Sequence, residues 1–175
     1  MAKFESESGP VWEPVLERLL IGVSHQISNR ISTLAGVSDI LAGDPAVPPI
    51  LRALADEVPK LEESIRLLRL LAAPEEVEEA VEPGRLLNDA LSLARLHPDL
   101  RDVVFRVEGD NLPPILAKPT ELVHRYVILL VNAGLDGAPE VPVRMDVEGT
   151  DVVVSAGESS VSTPTLTAAR ARSGV

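Results

Sequence analysis

The stretch VWEPVLERLLIGVSHQISNRISTLAGVSDIL, residues 11–41, decides the fold of the first half of the chain. Its apolar residues recur at spacings of mostly three and four, which places them in one stripe along a long helix. The residues of this stripe are Leu16, Leu20, Val23, Ile27, Ile31, Leu34 and Leu41. Trp12 and Pro14 suit the first turn of that helix, because proline is tolerated where backbone N–H groups have no helical partner.

A second helix is predicted after residues 42–49, AGDPAVPP, whose glycine and three prolines indicate a turn. Its apolar residues follow a strict seven-residue repeat, typical of helices that pack side by side: Leu51, Leu54, Val58, Leu61, Ile65 and Leu68. Pro59 is expected to kink this helix. The two helices then form an antiparallel hairpin, and since one hairpin leaves much of both stripes in water, we expect a homodimer with a four-helix bundle.

The second half of the chain shows a mixed pattern. Helices are predicted over residues 84–96 and 119–135, and strands around residues 103–107, 141–147 and 152–154, with the turn Gly149-Thr150 closing a hairpin. The acidic connector EEVEEAVE precedes them and indicates a domain boundary near residues 74–80. The expected fold class is therefore α+β: a dimerising helical hairpin, residues 1–76, followed by a small α/β sandwich, residues 77–175.

Composition excludes several classes of function. Cysteine is absent, which rules out disulfides and thiolate chemistry, and three scattered histidines predict no metal site. A net charge of -11 without a basic cluster disfavours nucleic acid as a partner. Apolar runs are too short to span a membrane and no secretory signal is apparent, so the expected location is cytoplasmic.

His25 is the candidate reactive residue of the first helix. It lies two positions from both Val23 and Ile27, so at about 100° per residue it faces away from the apolar stripe and toward solvent. Ser28, Asn29 and Ser32 share its face and form a polar strip around it. An accessible neutral imidazole can attack a phosphoryl group, although an exposed histidine of this kind can also be an ordinary solvated side chain.

The segment SHQISNRISTLAGVSDIL, residues 24–41, resembles the H-box helix of sensor histidine kinases, in which an acid follows the histidine and an Asn or Thr stands four residues on. The resemblance implies that His25 carries the phosphoryl group and that Asn29 helps to position a water for dephosphorylating a response regulator. Gln26 replaces the acid. It cannot act as a base, but it could hydrogen-bond the ring or the transferring group.

The helix ELVHRYVILLVNAGLDGA, residues 121–138, resembles the N-box of the ATP-binding domain of the same kinases. Asn132 matches the second of two asparagines, which in that family holds magnesium, whereas Ile128 replaces the first. Ser155 stands where the family has an adenine-reading Asp, only Gly157 remains of the glycines that follow, and no glycine-rich lid is recognisable. The resemblance therefore implies a degenerate Bergerat-type ATPase domain without firm ATP binding and with Asn132 as a vestige.

The function that this resemblance implies is that of a dimeric histidine phosphotransferase of a phosphorelay. His25 would relay a phosphoryl group between two response-regulator receiver domains, which dock on Ser28, Asn29 and Ser32 and bring their own magnesium. Two alternatives stay open. The chain could be a pseudokinase adaptor that binds a receiver without phosphoryl chemistry, or a truncated but active histidine kinase.

Three polar residues of the second half favour a structural interpretation. Asn132 before Gly134 suits a helix C-terminal cap. His97 follows a helix end, where the helix dipole favours a cation, and this indicates a surface position. His124 shares a face with neither motif and is assigned no role.

Overall fold

A computed structural model describes residues 12–43, 48–71, 77–109 and 112–173, with side chains throughout except at residues 38–43, 48–56, 172 and 173. It has a mixed α+β architecture, as predicted. A pair of long helices is followed by an α/β part with two small sheets. None of the helices in the described ranges is long and apolar enough to cross a membrane.

The first half forms the predicted helical hairpin. Helix α1 spans Trp12–Gly43 and α2 spans Pro48–Leu71, so both helices are confirmed nearly to their predicted bounds. Side-chain hydrogen bonds from Ser64 to Gln26 and from Arg30 to Glu57 show that the helices run antiparallel. The helical assignment of α2 continues through Pro59. Most of the predicted turn, residues 44–47, lies outside the described residues.

The α/β part alternates short strands with helices. Its elements are, in chain order, β1 Glu79–Val81, α3 Pro83–Ala94, a 3-10 turn Pro98–Leu100, β2 Val104–Glu108, β3 Ile115–Ala117, α4 Pro119–Leu135, β4 Glu140–Glu148, β5 Asp151–Ala156, β6 Ser159–Pro164 and α5 Leu166–Ser173. The helices and strands predicted from the sequence are therefore confirmed, including the β4–β5 hairpin, in which Gly149 adopts the positive φ of +64° that its turn requires.

The main sheet has the strand order β2-β4-β5-β6. Strand β2 pairs parallel with β4, and the remaining pairs are antiparallel, with Val143 opposite Ala156 and Val154 opposite Val161. Alternate side chains of β4 and β5 are buried, which is the period-2 pattern of a sheet covered on one face. Strands β1 and β3 form a separate two-stranded antiparallel sheet.

Three strands, β1, β3 and β6, were not predicted. Strands β1 and β3 are three residues long, too short for an alternating pattern, and β1 lies in the stretch expected to be an acidic linker. Strand β6 falls in the Ser/Thr-rich stretch after Gly157, which is joined to β5 by a two-residue turn and extends the main sheet.

The base of the hairpin belongs to the same hydrophobic core as the α/β part. Buried side chains of α1 and α2 pack with those of α3, α4 and the main sheet; in the hairpin they are Val15, Leu19, Val23, Leu67 and Leu71. The division at residues 76 and 77 remains a prediction, because residues 72–76 lie outside the described part. The shared core fixes the position of α1, and with it the surroundings of His25.

Candidate functional site

His25 lies on α1 with an exposed side chain, as the stripe pattern predicted. Ser28, Asn29 and Ser32 are also exposed on this helix, so the structure brings the four predicted residues together as one polar face. Thr33 Oγ1 donates a hydrogen bond to the backbone carbonyl oxygen of Asn29 on this face, at 3.0 Å. The imidazole is therefore accessible to a macromolecular partner.

The side chain of Gln26 contacts the second helix of the hairpin. Its side chain is half-buried against α2, where its Oε1 accepts from Ser64 Oγ at 3.1 Å. The amide is thereby engaged between the helices. Ser64 is missing from the sequence-based set of site residues, because its role depends on a contact between residues 38 positions apart.

A shallow hollow of about 280 Å³ opens beside Asn29. It is lined by Gln26, Asn29, Arg30, Thr33 and Glu57. The Arg30 guanidinium reaches Glu57 at 3.5 Å, and the Lys60 ammonium bonds the other carboxylate oxygen of Glu57. The hydrogen bond from Lys60, with help from the charges of Lys60 and Arg30, lowers the pKa of Glu57, so this carboxylate is ionised at neutral pH.

The α/β part packs against α1 one turn before His25. Gly22 faces the carbonyl of Leu96 so closely that a β-carbon at position 22 would overlap the carbonyl oxygen. Arg18, one turn earlier on the same face of α1, forms an ion pair with Asp99. Arg18, Gly22, His25 and Asn29 follow each other at helical spacing, so the exposed His25 lies one turn beyond these contacts with the α/β part.

A second contact holds the α/β part at the base of the hairpin. The rings of Trp12 and His124 stack with centroids 3.9 Å apart, and His124 Nε2 lies 2.6 Å from the carbonyl oxygen of Leu70. His124, to which the sequence assigned no role, therefore joins α4 to both helices of the hairpin. Arg66 of α2 adds an ion pair with Asp89 of α3.

The predicted surface position of His97 is wrong. Its side chain is 3% exposed, and Nδ1 accepts a hydrogen bond from the backbone N–H of Asp99 at 3.4 Å. Burial lowers the pKa of His97, which opposes the cationic form that the helix dipole would favour. The 3-10 turn that follows the helix packs under α1 and removes this ring from water.

Asn132 is half-buried in the last turns of α4. The helix continues to Leu135 and its C-cap is Asp136, so the predicted capping position of Asn132 is wrong. Ser155 lies within β5, paired with Arg144 and Ser160, and is not in a loop after the strand. Among the contacts of the described residues, none joins Asn132 to the face around His25. Within the same ranges, no group of three or more His, Asp or Glu side chains could hold a metal ion.

Similarity to known proteins points to histidine kinases. The chain is 29% identical over 124 residues to the sensor histidine kinase ZraS of Escherichia coli O157:H7, covering 67% of this chain and 27% of that protein. It is 25% identical over 123 residues to sporulation kinase E of Bacillus subtilis (strain 168), covering 68% of this chain and 17% of that protein. The chain thus has histidine kinase-like sequence, but spans about a quarter or less of the length of these curated relatives. No protein-family model matches it.

Solved structures with a related arrangement include a bacterial phosphotransferase and the histidine kinase AdeS of Acinetobacter baumannii. The first has 16% sequence identity and a TM-score of 0.45, covering 84% of this chain and 68% of that one. The second has 15% identity and a TM-score of 0.38, covering 74% of this chain and 70% of that one. At such scores neither likeness bears on function.

Proposed function

We propose that this chain is a histidine phosphotransferase of two-component signalling, which relays a phosphoryl group through His25 between receiver domains. The observation that carries the proposal is the exposed imidazole of His25 on the same face of α1 as Asn29, Ser28 and Ser32. The similarity to histidine kinases supports the phosphoryl chemistry, and the H-box spacing of His25 and Asn29 supports the choice of residues.

The reaction needs one nucleophile from this chain. The unprotonated ring nitrogen of His25 attacks the phosphorus of a receiver aspartyl phosphate, a P–N bond forms, and the acyl-phosphate P–O bond breaks. The aspartate leaves as a carboxylate anion, and the proton on the other ring nitrogen of His25 is released to solvent. The reverse sequence, on a second receiver, returns the phosphoryl group to an aspartate. Magnesium would be supplied by the receiver, and its positive charge would offset the negative charge of the phosphoryl group during transfer.

The surroundings of Gln26, Ser155 and Gly157 favour a relay over an autokinase. Gln26 is an amide that cannot take a proton from the imidazole, and its oxygen is already bonded by Ser64. Ser155, in place of an adenine-reading Asp, pairs within the sheet, and the chain turns back at Gly157 directly into β6. The contacts at Gly22 and His124 also tie the α/β part to the hairpin, whereas a kinase domain has to move its nucleotide to the histidine.

Homodimerisation is part of the proposal. Apolar residues of α1 and α2 beside the inner face of the hairpin form an outer stripe, of which Ile27 and Leu68 also pack against the core. The stripe is defined as Leu20, Ile27, Ile31 and Leu34 with Val58, Leu61, Ile65 and Leu68. On each helix the residues of the outer stripe lie about 100° from the inner face, in the same rotational sense along the chain. Because the helices are antiparallel, both halves of the stripe therefore lie on one side of the hairpin. Ile31 and Val58 are 55% and 49% exposed, and a second hairpin would cover them.

Phosphotransfer from purified receivers tests the proposal. Receiver domains phosphorylated with radiolabelled acetyl phosphate should label the wild type and leave His25→Ala unlabelled. Since His25 is exposed, the substitution should change the melting temperature little, which keeps loss of label separate from loss of fold. Equal labelling of both proteins would overturn the proposal.

Two further outcomes would favour the alternatives. Binding of a receiver by both proteins, without phosphohistidine from any donor, would indicate a pseudokinase adaptor. Labelling of the wild type by ATP and magnesium alone would indicate an active kinase.

A further inference from the structure

Ser64 is an unusual residue in the hairpin. Its side chain is 1% exposed, and it is the one buried polar side chain among the described side chains of α1 and α2. It lies on the inner face of α2, one turn from the buried apolar residue Leu67. A buried polar group has to be hydrogen-bonded, and an apolar residue there would satisfy burial equally well. A role other than packing would explain the serine.

The Ser64 hydroxyl is the centre of a hydrogen-bond network between the helices. It accepts from Arg30 Nε at 3.2 Å, and it lies 3.1 Å from Gln26 Oε1 and 3.0 Å from the carbonyl oxygen of Lys60. Because the hydroxyl has one proton, that proton is shared between the Gln26 and Lys60 oxygens, while one of its lone pairs accepts from Arg30. Arg30 continues the network to Glu57.

The two α1 partners of Ser64 are sequence neighbours of the two candidate reactive residues. Gln26 follows His25, and Arg30 follows Asn29. One hydroxyl of α2 therefore holds α1 at two points, one helical turn apart. We infer that Ser64 is a positioning residue for phosphotransfer: its hydrogen bonds to Gln26 and Arg30 fix the rotation of α1, and so the direction of His25 and Asn29. This inference rests on the proposed function.

Hydrogen bonds fix a helix rotation more tightly than apolar contacts do. A rotation of α1 by 20° would move atoms roughly 6 Å from its axis by about 2 Å, which exceeds the tolerance of a hydrogen bond. In-line attack on phosphorus has a similar tolerance, because displacement of a reacting group by about 1 Å can reduce a rate by as much as a hundredfold. Apolar side chains keep most of their contacts over such a movement.

Two variants of Ser64 test this role. Ser64→Ala removes the hydroxyl, and Ser64→Cys keeps nearly the same volume with a much weaker donor, so a packing defect is separated from a lost hydrogen bond. With a phosphorylated receiver as donor, both should lower kcat about tenfold and leave KM within about twofold, because docking is intact and orientation is lost. Gln26→Met combined with Ser64→Ala should be no slower than Ser64→Ala, since both remove one interaction.

Leu67→Ala is the matched control. It removes a buried side chain of the same helix, 4% exposed, without touching the network, so it should lower the melting temperature yet keep kcat within about twofold below that temperature. Phosphoramidate, a small donor that needs only an accessible ring, should label His25 equally in all these variants.

The outcomes separate the two proposals. Wild-type kcat in Ser64→Ala and Ser64→Cys, or an equal loss in Leu67→Ala, would overturn the positioning role and leave the phosphotransferase standing. A wild type that phosphoramidate labels but no receiver labels would overturn both.

Discussion

The base and the outer part of the hairpin are built from the same two helices but held together differently. At the base, Leu19 and Leu71 belong to the core of the α/β part, and both are nearly or fully buried. In the outer part, Ser64 bonds Gln26 and Arg30 between the helices, while the outer stripe stays in contact with water. His25 lies at the border between them. The comparison teaches that His25, the proposed phosphoacceptor, stands where the core ends, because α1 is anchored to the α/β part just before it.

The largest effect is expected at the outer stripe, the surface of the proposed dimer. Ile31→Glu places a charge at the most exposed residue of the outer stripe, and in a symmetric dimer it buries two such charges without partners. The dimer dissociation constant should rise roughly a hundredfold, about 2.7 kcal/mol. Sedimentation equilibrium measures this change directly.

Leu135→Glu is the control for Ile31→Glu. Leu135 is similarly exposed, at 53%, but lies at the end of α4 in the α/β part. It should leave the dissociation constant unchanged. If neither variant alters a measured dimer, or if the wild type is a monomer at all concentrations, the outer stripe has another purpose.

The second largest effect is expected at the base of the hairpin, where α1 packs against the α/β part. Gly22→Ala brings a β-carbon into the carbonyl oxygen of Leu96, and backbone atoms on both sides must shift. We expect a loss of about 1–3 kcal/mol in the free energy of unfolding, typical of overpacking, measured by urea denaturation.

Gly36→Ala sharpens this test within the same helix. A β-carbon at position 36 would meet no atom within 4 Å beyond its chain neighbours and the surrounding helix backbone. Only the helix propensity changes, and the substitution should stabilise the protein by up to about 1 kcal/mol. Changes of opposite sign in the free energy of unfolding for the two substitutions would distinguish the docked turn of α1 at Gly22 from the free one at Gly36. A stabilising Gly22→Ala would contradict the close packing of Leu96 on α1.

The sequence predicted the elements that are long enough to repeat an apolar pattern, but it did not predict the contacts between elements. The apolar stripe predicted α1 and the exposure of His25, because the 3.6-residue period is set within one helix. Strands β1 and β3 were missed because three residues hold no period, and the two strands pair with each other across a long stretch of sequence.

The candidate site shows the same division. The exposed set of His25, Ser28, Asn29 and Ser32 follows from spacing on one helix. The hydrogen bond between Gln26 and Ser64 does not follow from this spacing, because Ser64 lies on another helix. One local signal could have pointed to Ser64: it is a small polar residue between Lys60 and Leu67, on the inner face of an otherwise heptad-patterned helix.

The smallest effect is expected from substitution of His97, which tests through the pH dependence of stability how the base of the hairpin is packed. Its pKa is lowered by burial, so between the folded and unfolded pKa values the unfolded chain binds a proton that the folded chain does not. The free energy of unfolding should therefore fall as the pH drops through the usual range of histidine, near 6.5. The nearby carboxylate of Asp99 favours the protonated ring and opposes part of this fall. His97→Asn can still accept the bond from Asp99 N–H but does not titrate, so urea unfolding at pH 7.5 and 5.5 should give a smaller fall than in the wild type. His25 and His124 are present in both proteins and cancel in that difference. An identical fall in the two proteins would mean that His97 is protonated beneath α1, and that the base of the hairpin is open to water there.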